Sequence, residues 1–326
     1  MNFYKDKNVL ITGGAGFIGS NLAHALLSQG AKIAIIDNLL PQYGGNLFNI
    51  SNIRNKITVY PYDLRDSPQI AKLLRDSEYL FNLAAQTSHL DSMTDPQNDL
   101  DINVKAQLYI LEECRKHNPK IKIVFTSTRQ LYGKPDYLPV DESHPVRPVD
   151  INGINKFTAE GYHLLYWDHY GMNSCILRLT NTYGPRMRIK DARQIFLGSW
   201  VRSLIERKPI QLFGDGSQIR DLNFVDDCVQ AILAVGSSAN ANGKIYNLGS
   251  SDFISLKSLA ELMIELNEGG SVEPTPFPDQ RKLIDIGDYY SDFSMITREI
   301  GWMPKVSLRK GLLKTIEYYR KFKNNY

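Results

Sequence analysis

A short apolar run, Val9 to Thr12, leads directly into Gly13-Gly14-Ala15-Gly16-Phe17-Ile18-Gly19, and helical periodicity begins at Phe17. A strand, a glycine turn and a helix in that order leave few folds open. Glycine lets the backbone turn tightly and approach a diphosphate, and the helix N-terminus adds unpaired N–H groups and a partial positive charge. The helix is expected over residues 17–29, with Gly30 as its stop. A glycine triplet alone is a weak signal, and an acid at the right distance strengthens it. Asp37 closes the second expected strand, 21 residues after Gly16. A carboxylate there accepts hydrogen bonds from a ribose diol and repels a 2′-phosphate, which favours NAD over NADP. The competing reading is a turn, since Asp37-Asn38 is good turn chemistry.

The alternation continues along the first half. Residues 32–37, 57–61, 79–85 and 121–127 are short apolar runs, the pattern of strands buried on both faces. Helical stretches near 68–75 and 96–117 separate them, a long helix follows over 153–170, and a sixth strand is expected at 173–179. This implies an α/β fold: a Rossmann-type doubly wound parallel sheet with a smaller C-terminal α/β substrate domain. Beyond Gly184 the pattern breaks into polar loops, Pro-rich stretches and short helices, with a last helix at about 308–322. The expected division is residues 1–180 for the cofactor and 181–326 for the substrate, with some later segments free to return to the sheet.

Composition narrows the function. Of 326 residues, 38 are Lys or Arg and 35 are Asp or Glu, a net charge of +3 that gives no electrostatic reason to expect nucleic acid. Cys114, Cys175 and Cys228 are far apart, which argues against a zinc site or any other metal and fits a reducing, cytoplasmic compartment. The N-terminal residues carry charges where a signal peptide would be apolar, and no apolar stretch is long enough to span a membrane.

Several motifs occur in a telling order: residues 12–19, Asp37-Asn38-Leu39, Asn82-Leu83-Ala84-Ala85, Arg178-Leu179-Thr180-Asn181-Thr182-Tyr183-Gly184-Pro185, Arg220-Asp221 and Val225-Asp226-Asp227. Together they resemble the extended short-chain dehydrogenase/reductase family, the nucleotide-sugar epimerases and dehydratases. The resemblance implies tightly held NAD and transient oxidation of a sugar carbon to a keto-sugar. The intermediate is then rotated, epimerised, dehydrated or decarboxylated, and usually reduced again. It implies cofactor contacts from Gly13, Gly16, Phe17, Ile18, Asp37, Asn38, Ala84, Ala85 and Lys156. Asp63 and Leu64 would meet the adenine end, although Asp63 serves equally well as a turn or helix cap.

The family's catalytic set is a Ser or Thr plus Tyr-x-x-x-Lys. Counting back from Tyr132-Gly133 selects Thr128, and Lys156 matches the lysine. Where the tyrosine should stand, this chain has Asn152. A carboxamide has no accessible pKa and cannot shuttle a proton, but it can hydrogen-bond a substrate oxygen or a water. Either another group is the base, or the first step differs, or catalysis is lost and the chain binds ligand as a regulator. Lys156, beside a cationic nicotinamide, and His89, past the fourth strand, are the candidate bases. A loop or helix-cap role for His89 is equally open, and Tyr132 is expected to pack structurally.

A 4,6-dehydratase in the usual style carries Asp-Glu directly after the Thr. Here Arg129-Gln130 stand there, which disfavours that elimination. Arg129 would instead face an anionic or many-hydroxylated substrate, or turn to solvent. By resemblance Asn181 and Arg220 contact the diphosphate of a nucleotide-diphosphate sugar, Arg281 lies near the nucleotide, and Asn103 supports the site. Two helices, about 95–117 and 153–170, are those that pair in the family's homodimers. The reading is an NAD-dependent nucleotide-sugar epimerase, with a dehydratase or decarboxylase as the alternative enzyme.

Overall fold

The computed structural model describes residues 2–65, 67–193 and 195–326. The doubly wound sheet expected from the alternation is present. Its strands are β1 (Asn8–Thr12), β2 (Lys32–Ile36), β3 (Thr58–Tyr60), β4 (Tyr79–Asn82), β5 (Lys122–Thr128) and β6 (Ser174–Leu179). The remaining strands are β7 (Asn181–Tyr183), β8 (Ile210–Phe213), β9 (Ile219–Phe224), β10 (Ile245–Asn247), β11 (Phe253–Ser255) and β12 (Val272–Thr275). The large sheet runs β10-β6-β5-β4-β1-β2-β3, with every pairing parallel. Strand order reverses between β1 and β4, and a ligand crevice forms at such a switch point, beyond the C-terminal strand ends. β10 joins the edge of this sheet although it lies far along the chain.

The central strands are buried on both faces, as their unbroken apolar runs require. One face packs on the helices Phe17–Ser28 and Val225–Ser237, through Leu22, Leu26, Cys228 and Ile232. The other packs on Ser67–Arg75, Ala106–His117 and Ile151–Tyr170, through Leu74, Ile110, Leu111 and Tyr166. β7 and β9 pair in parallel and β11 adds antiparallel to β9, forming a three-stranded sheet above the cleft; β8 and β12 form a separate parallel pair.

Two helices differ from expectation in an instructive way. The long one begins at Ile151, two residues earlier than its periodicity suggested, because Asp150 caps it by accepting from the Gly153 amide at 2.7 Å. It ends at Gly171, whose φ of 64° suits a left-handed cap. Arg178 on β6 reaches Glu160 on this helix at 2.6 Å and donates to Tyr132 at 2.7 Å, fixing helix to sheet. The stretch from Pro96 to His117 is interrupted by a π-helical turn over Asp101–Lys105, where Asn103 sits. Such turns re-aim side chains and recur at functional sites.

Candidate active site

A cleft opens at the C-terminal ends of the central strands. Its floor is the glycine loop. Gly13 has φ +69°, and a Cβ there would lie 3.0 Å from the Ala84 backbone. A Cβ on Gly19 would come within 2.2 Å of the Gly13 carbonyl, so the loop packs against its own helix only as glycine. No side chain caps the Phe17–Ser28 helix. Its first amides therefore stay free at the cleft wall formed by Gly16, Phe17 and Ile18.

Asp37 lines the cleft and is nearly buried. Oδ2 accepts from the Ala15 amide at 2.9 Å and Oδ1 from the Leu39 amide at 2.8 Å. Burial pushes its carboxyl up, against those amide donors. It therefore braces the glycine loop as well as presenting a carboxylate to the cleft. Asp63 is paired with Arg65 at 2.7 Å and accepts from Asn38 at 3.0 Å. Arg65 chiefly, despite partial burial, holds the Asp63 carboxyl well below the usual carboxylate range. Asn38, Asp63, Leu64, Ala84 and Ala85 line the same end of the cleft.

Thr128, Asn152, Lys156 and His89 also line the cleft. Thr128 Oγ1 accepts from the Gln130 amide at 3.2 Å, which leaves its proton free to donate into the cleft. Lys156 is buried with Nζ over the Phe125 ring, 4.4 Å from its centroid. Burial lowers it to about 8, against the pull of Asp99 and Glu160.

Asn152 occupies a polar nest invisible to the motif reading. Its Nδ2 donates to the Gln86 carbonyl at 2.8 Å and to Asp99 Oδ2 at 3.1 Å. Both neighbours are acceptors, so the amide has one orientation and Oδ1 is the atom left for the cleft. Asp99, wholly buried, also accepts from Asn155 at 2.8 Å and Asn103 at 3.1 Å. Three carboxamides thus surround one carboxylate, which is also the counter-charge of Lys156. Asp99 was missed by sequence reasoning; its only trace is the one-turn spacing to Asn103.

His89 is the second surprise. Its Nδ1 lies 3.0 Å from Oδ2 of Asp150, with the N–H off the direct line to that oxygen. Catalytic hydrogen bonds in unliganded sites are often poorly aligned and tighten when substrate binds. Asp150 is held besides by the Gly153 amide and by Gln130 Nε2 at 3.0 Å. Burial raises its carboxyl, but His89 and those donors outweigh burial and keep it below the usual value. Sequence reasoning missed Asp150 too, although a cap residue just ahead of a helix was a usable signal.

Asn181 and Arg129 line the cleft, and Nη2 of Arg129 donates to Oδ1 of Asn181 at 3.2 Å. Arg220 and Arg281 do not line it. Arg220 ion-pairs with Asp285 at 3.3 Å and donates to the Ile219 and Gly287 carbonyls. Arg281 lies over Phe213, 5.6 Å from the ring centroid. Tyr132 points into the core, between Arg178 and Asn247, as its packing reading expected. Among the described residues no group of three His, Cys, Asp or Glu could hold a metal ion, and no helix is long and apolar enough to cross a membrane.

A family profile matches residues 9–249, from β1 to just past β10. The chain belongs to the NAD dependent epimerase/dehydratase family. Within that family, a UDP-glucose 4-epimerase of Mycolicibacterium smegmatis is 32% identical over 314 residues, covering 95% of this chain and 98% of that protein. A dTDP-glucose 4,6-dehydratase of Streptomyces griseus is 29% identical over 324 residues, covering 97% and 95%. The crystal structure of a UDP-glucose 4-epimerase from Thermotoga maritima with UDP-glucose matches at a TM-score of 0.89 and 30% identity, covering 97% of this chain and 99% of that one.

NAD is the cofactor of this epimerase/dehydratase family member, and the uncapped start of the Phe17–Ser28 helix after the glycine loop and the carboxylate at Asp37 fit it. Asp37→Ala is expected to weaken NAD binding by about 10- to 100-fold, the worth of hydrogen bonds to a charged acceptor. It should also narrow the preference over NADP, both measured by fluorescence titration. Unchanged NAD affinity would leave Asp37 as a loop brace alone.

Proposed function

We propose that this protein is an epimerase of nucleotide-diphosphate sugars, UDP-linked hexoses among them, that oxidises and re-reduces one sugar carbon in a single site. The observation that carries this reading is the presence of Thr128, Asn152, Lys156 and an Asp150-backed His89 in the lining of the cleft that fits NAD. NAD, when bound, supplies the oxidant for the sugar carbon and returns the reducing equivalent. Thr128 donates to the reacting oxygen and orients it. Asn152 Oδ1 accepts from a substrate hydroxyl or a water but carries no proton. Lys156 holds the nicotinamide ribose and supplies positive charge. His89 takes the hydroxyl proton on its free Nε2, while Asp150 holds the tautomer with Nδ1 protonated and balances the imidazolium. Residues 181–326 supply the nucleotide-sugar side through Asn181.

Elimination is disfavoured. Arg129 is no proton donor, and Gln130 is spent on Asp150 and the Ile284 carbonyl. The test is incubation of the NAD-loaded protein with UDP-, dTDP- and CDP-hexoses, followed by chromatography and mass spectrometry. An isomer of equal mass without net NADH supports the epimerase. Loss of water or CO2 would make it a dehydratase or decarboxylase, and ligand binding without turnover would make it a regulator.

We also infer a homodimer. Ile154, Phe157, Gly161 and Leu165 form an exposed stripe on the Ile151–Tyr170 helix, and nothing lies within 4 Å of a Cβ built at Gly161. Phe157 and Leu165 face outward rather than into the core. Phe157→Glu is expected to convert a dimer to a monomer by light scattering; a wild-type monomer would refute the dimer. The three buried free thiols favour a reducing, cytoplasmic location.

A further inference from the structure

Arg129 differs from the two buried arginines among the described residues. Arg178 has Glu160 at 2.6 Å, and Arg220 has Asp285 at 3.3 Å. Arg129 has no carboxylate within ion-pair distance among the described residues. Its one hydrogen bond goes to a neutral amide, Oδ1 of Asn181. Nη1 is buried and has no partner. The carboxylate of Asp221 is already taken by the Thr180 hydroxyl and by the Ser291 amide at 3.1 Å.

A guanidinium withdrawn from water without an anion is costly, and the cost is recovered when an anion enters. The surroundings prepare for that event. The guanidinium lies over the Tyr289 ring, 4.9 Å from its centroid, which fixes the plane of its donors. It lines the cleft directly after Thr128, the residue given the reacting oxygen in the reading above. The group it meets therefore belongs to the sugar end of the substrate. A planar fork of donors matches a planar carboxylate through two parallel hydrogen bonds.

We propose that Arg129 binds a carboxylate carried by the sugar, so that the preferred substrates are nucleotide-linked acidic sugars of the uronic type. This rests on the nucleotide-sugar reading above. The protein presents an unpaired cation where a neutral hexose would offer only hydroxyls, which cannot neutralise it.

The test is calorimetric titration of the NAD-loaded protein with UDP-glucuronate, UDP-glucose and UDP, for the native chain, Arg129→Gln and Arg129→Lys. The native protein should bind UDP-glucuronate about 10- to 100-fold more tightly than UDP-glucose. Arg129→Gln should abolish that preference. Arg129→Lys, which keeps the charge without the fork, should restore only part of it and guards against a folding defect in the glutamine variant. Equal loss for all three ligands would assign Arg129 to the diphosphate and overturn the proposal, as would a native protein without preference. Binding of none of the three would overturn the UDP-sugar reading itself, and this inference with it.

Discussion

Replacing His89 with glutamine is expected to lower turnover by about 10²- to 10⁴-fold, the usual contribution of a positioned acid–base group. NAD content and thermal stability should hold, because the His89 side chain stands partly open at the cleft rather than in the core. The expectation follows from elimination among the groups present. Asn152 cannot carry a proton. Tyr132 is buried between Arg178 and Asn247 and is raised to about 12 mainly by burial. Thr128 is a donor with an alcohol's acidity. Asp150→Asn keeps the size and the acceptor needed to cap the Ile151–Tyr170 helix, but removes the charge behind the imidazole. It should lower kcat with KM nearly unchanged, since Asp150 acts through His89 and does not line the cleft. A merely structural Asp150 would lower stability and leave kcat per folded molecule intact. Steady-state kinetics on the two variants decide: turnover by His89→Gln at more than a tenth of the native rate would make the imidazole a spectator.

What the sequence made legible follows from how local each signal is. The glycine loop, Asp37 and the short apolar strands are contiguous, so their geometry follows from neighbours along the chain. Residues 12–19 and 37–38 could be read directly onto a strand, a turn and a helix end. The final helix, Leu308–Phe322, was likewise visible from its periodicity. β10 was not: it is a three-residue strand whose place depends on pairing with β6, a contact far along the chain. The site divides in the same way. Thr128 comes from its count back from Tyr132-Gly133, and Asn152 and Lys156 from the Tyr-x-x-x-Lys spacing. Asp99 and Asp150 act through partners brought together only by folding, and an isolated aspartate before a helix looks like a cap whatever else it does. Arg220 shows the converse. Its motif context points to a phosphate, but Asp285, 65 residues away, and the Gly287 carbonyl occupy its guanidinium.

The sign of the pH dependence separates the two candidate bases. Burial brings Lys156 to about 8, with Asp99 and Glu160 resisting the drop, so its charge changes just above neutral pH. If Lys156 serves as a cation, the active form is protonated, and the rate falls as pH rises through about 8. If it were the base, the active form would be neutral and the rate would climb over the same interval. A cationic nicotinamide bound nearby moves the midpoint to lower pH in either case and leaves the sign alone. With His89 positioned on Asp150, the expected result is the fall. Lys156→Arg should flatten the alkaline limb, because a guanidinium stays charged throughout, although the longer side chain will cost activity at every pH. Lys156→Met should remove the limb and most of the rate together, because the Asp99 carboxylate, held by three carboxamides, is then left with no cation opposite. The measurement is kcat/KM from neutral pH upward for the native chain and both variants. A rate that rises through the Lys156 titration, and is abolished by Lys156→Arg, would move the proton transfer from His89 to the lysine.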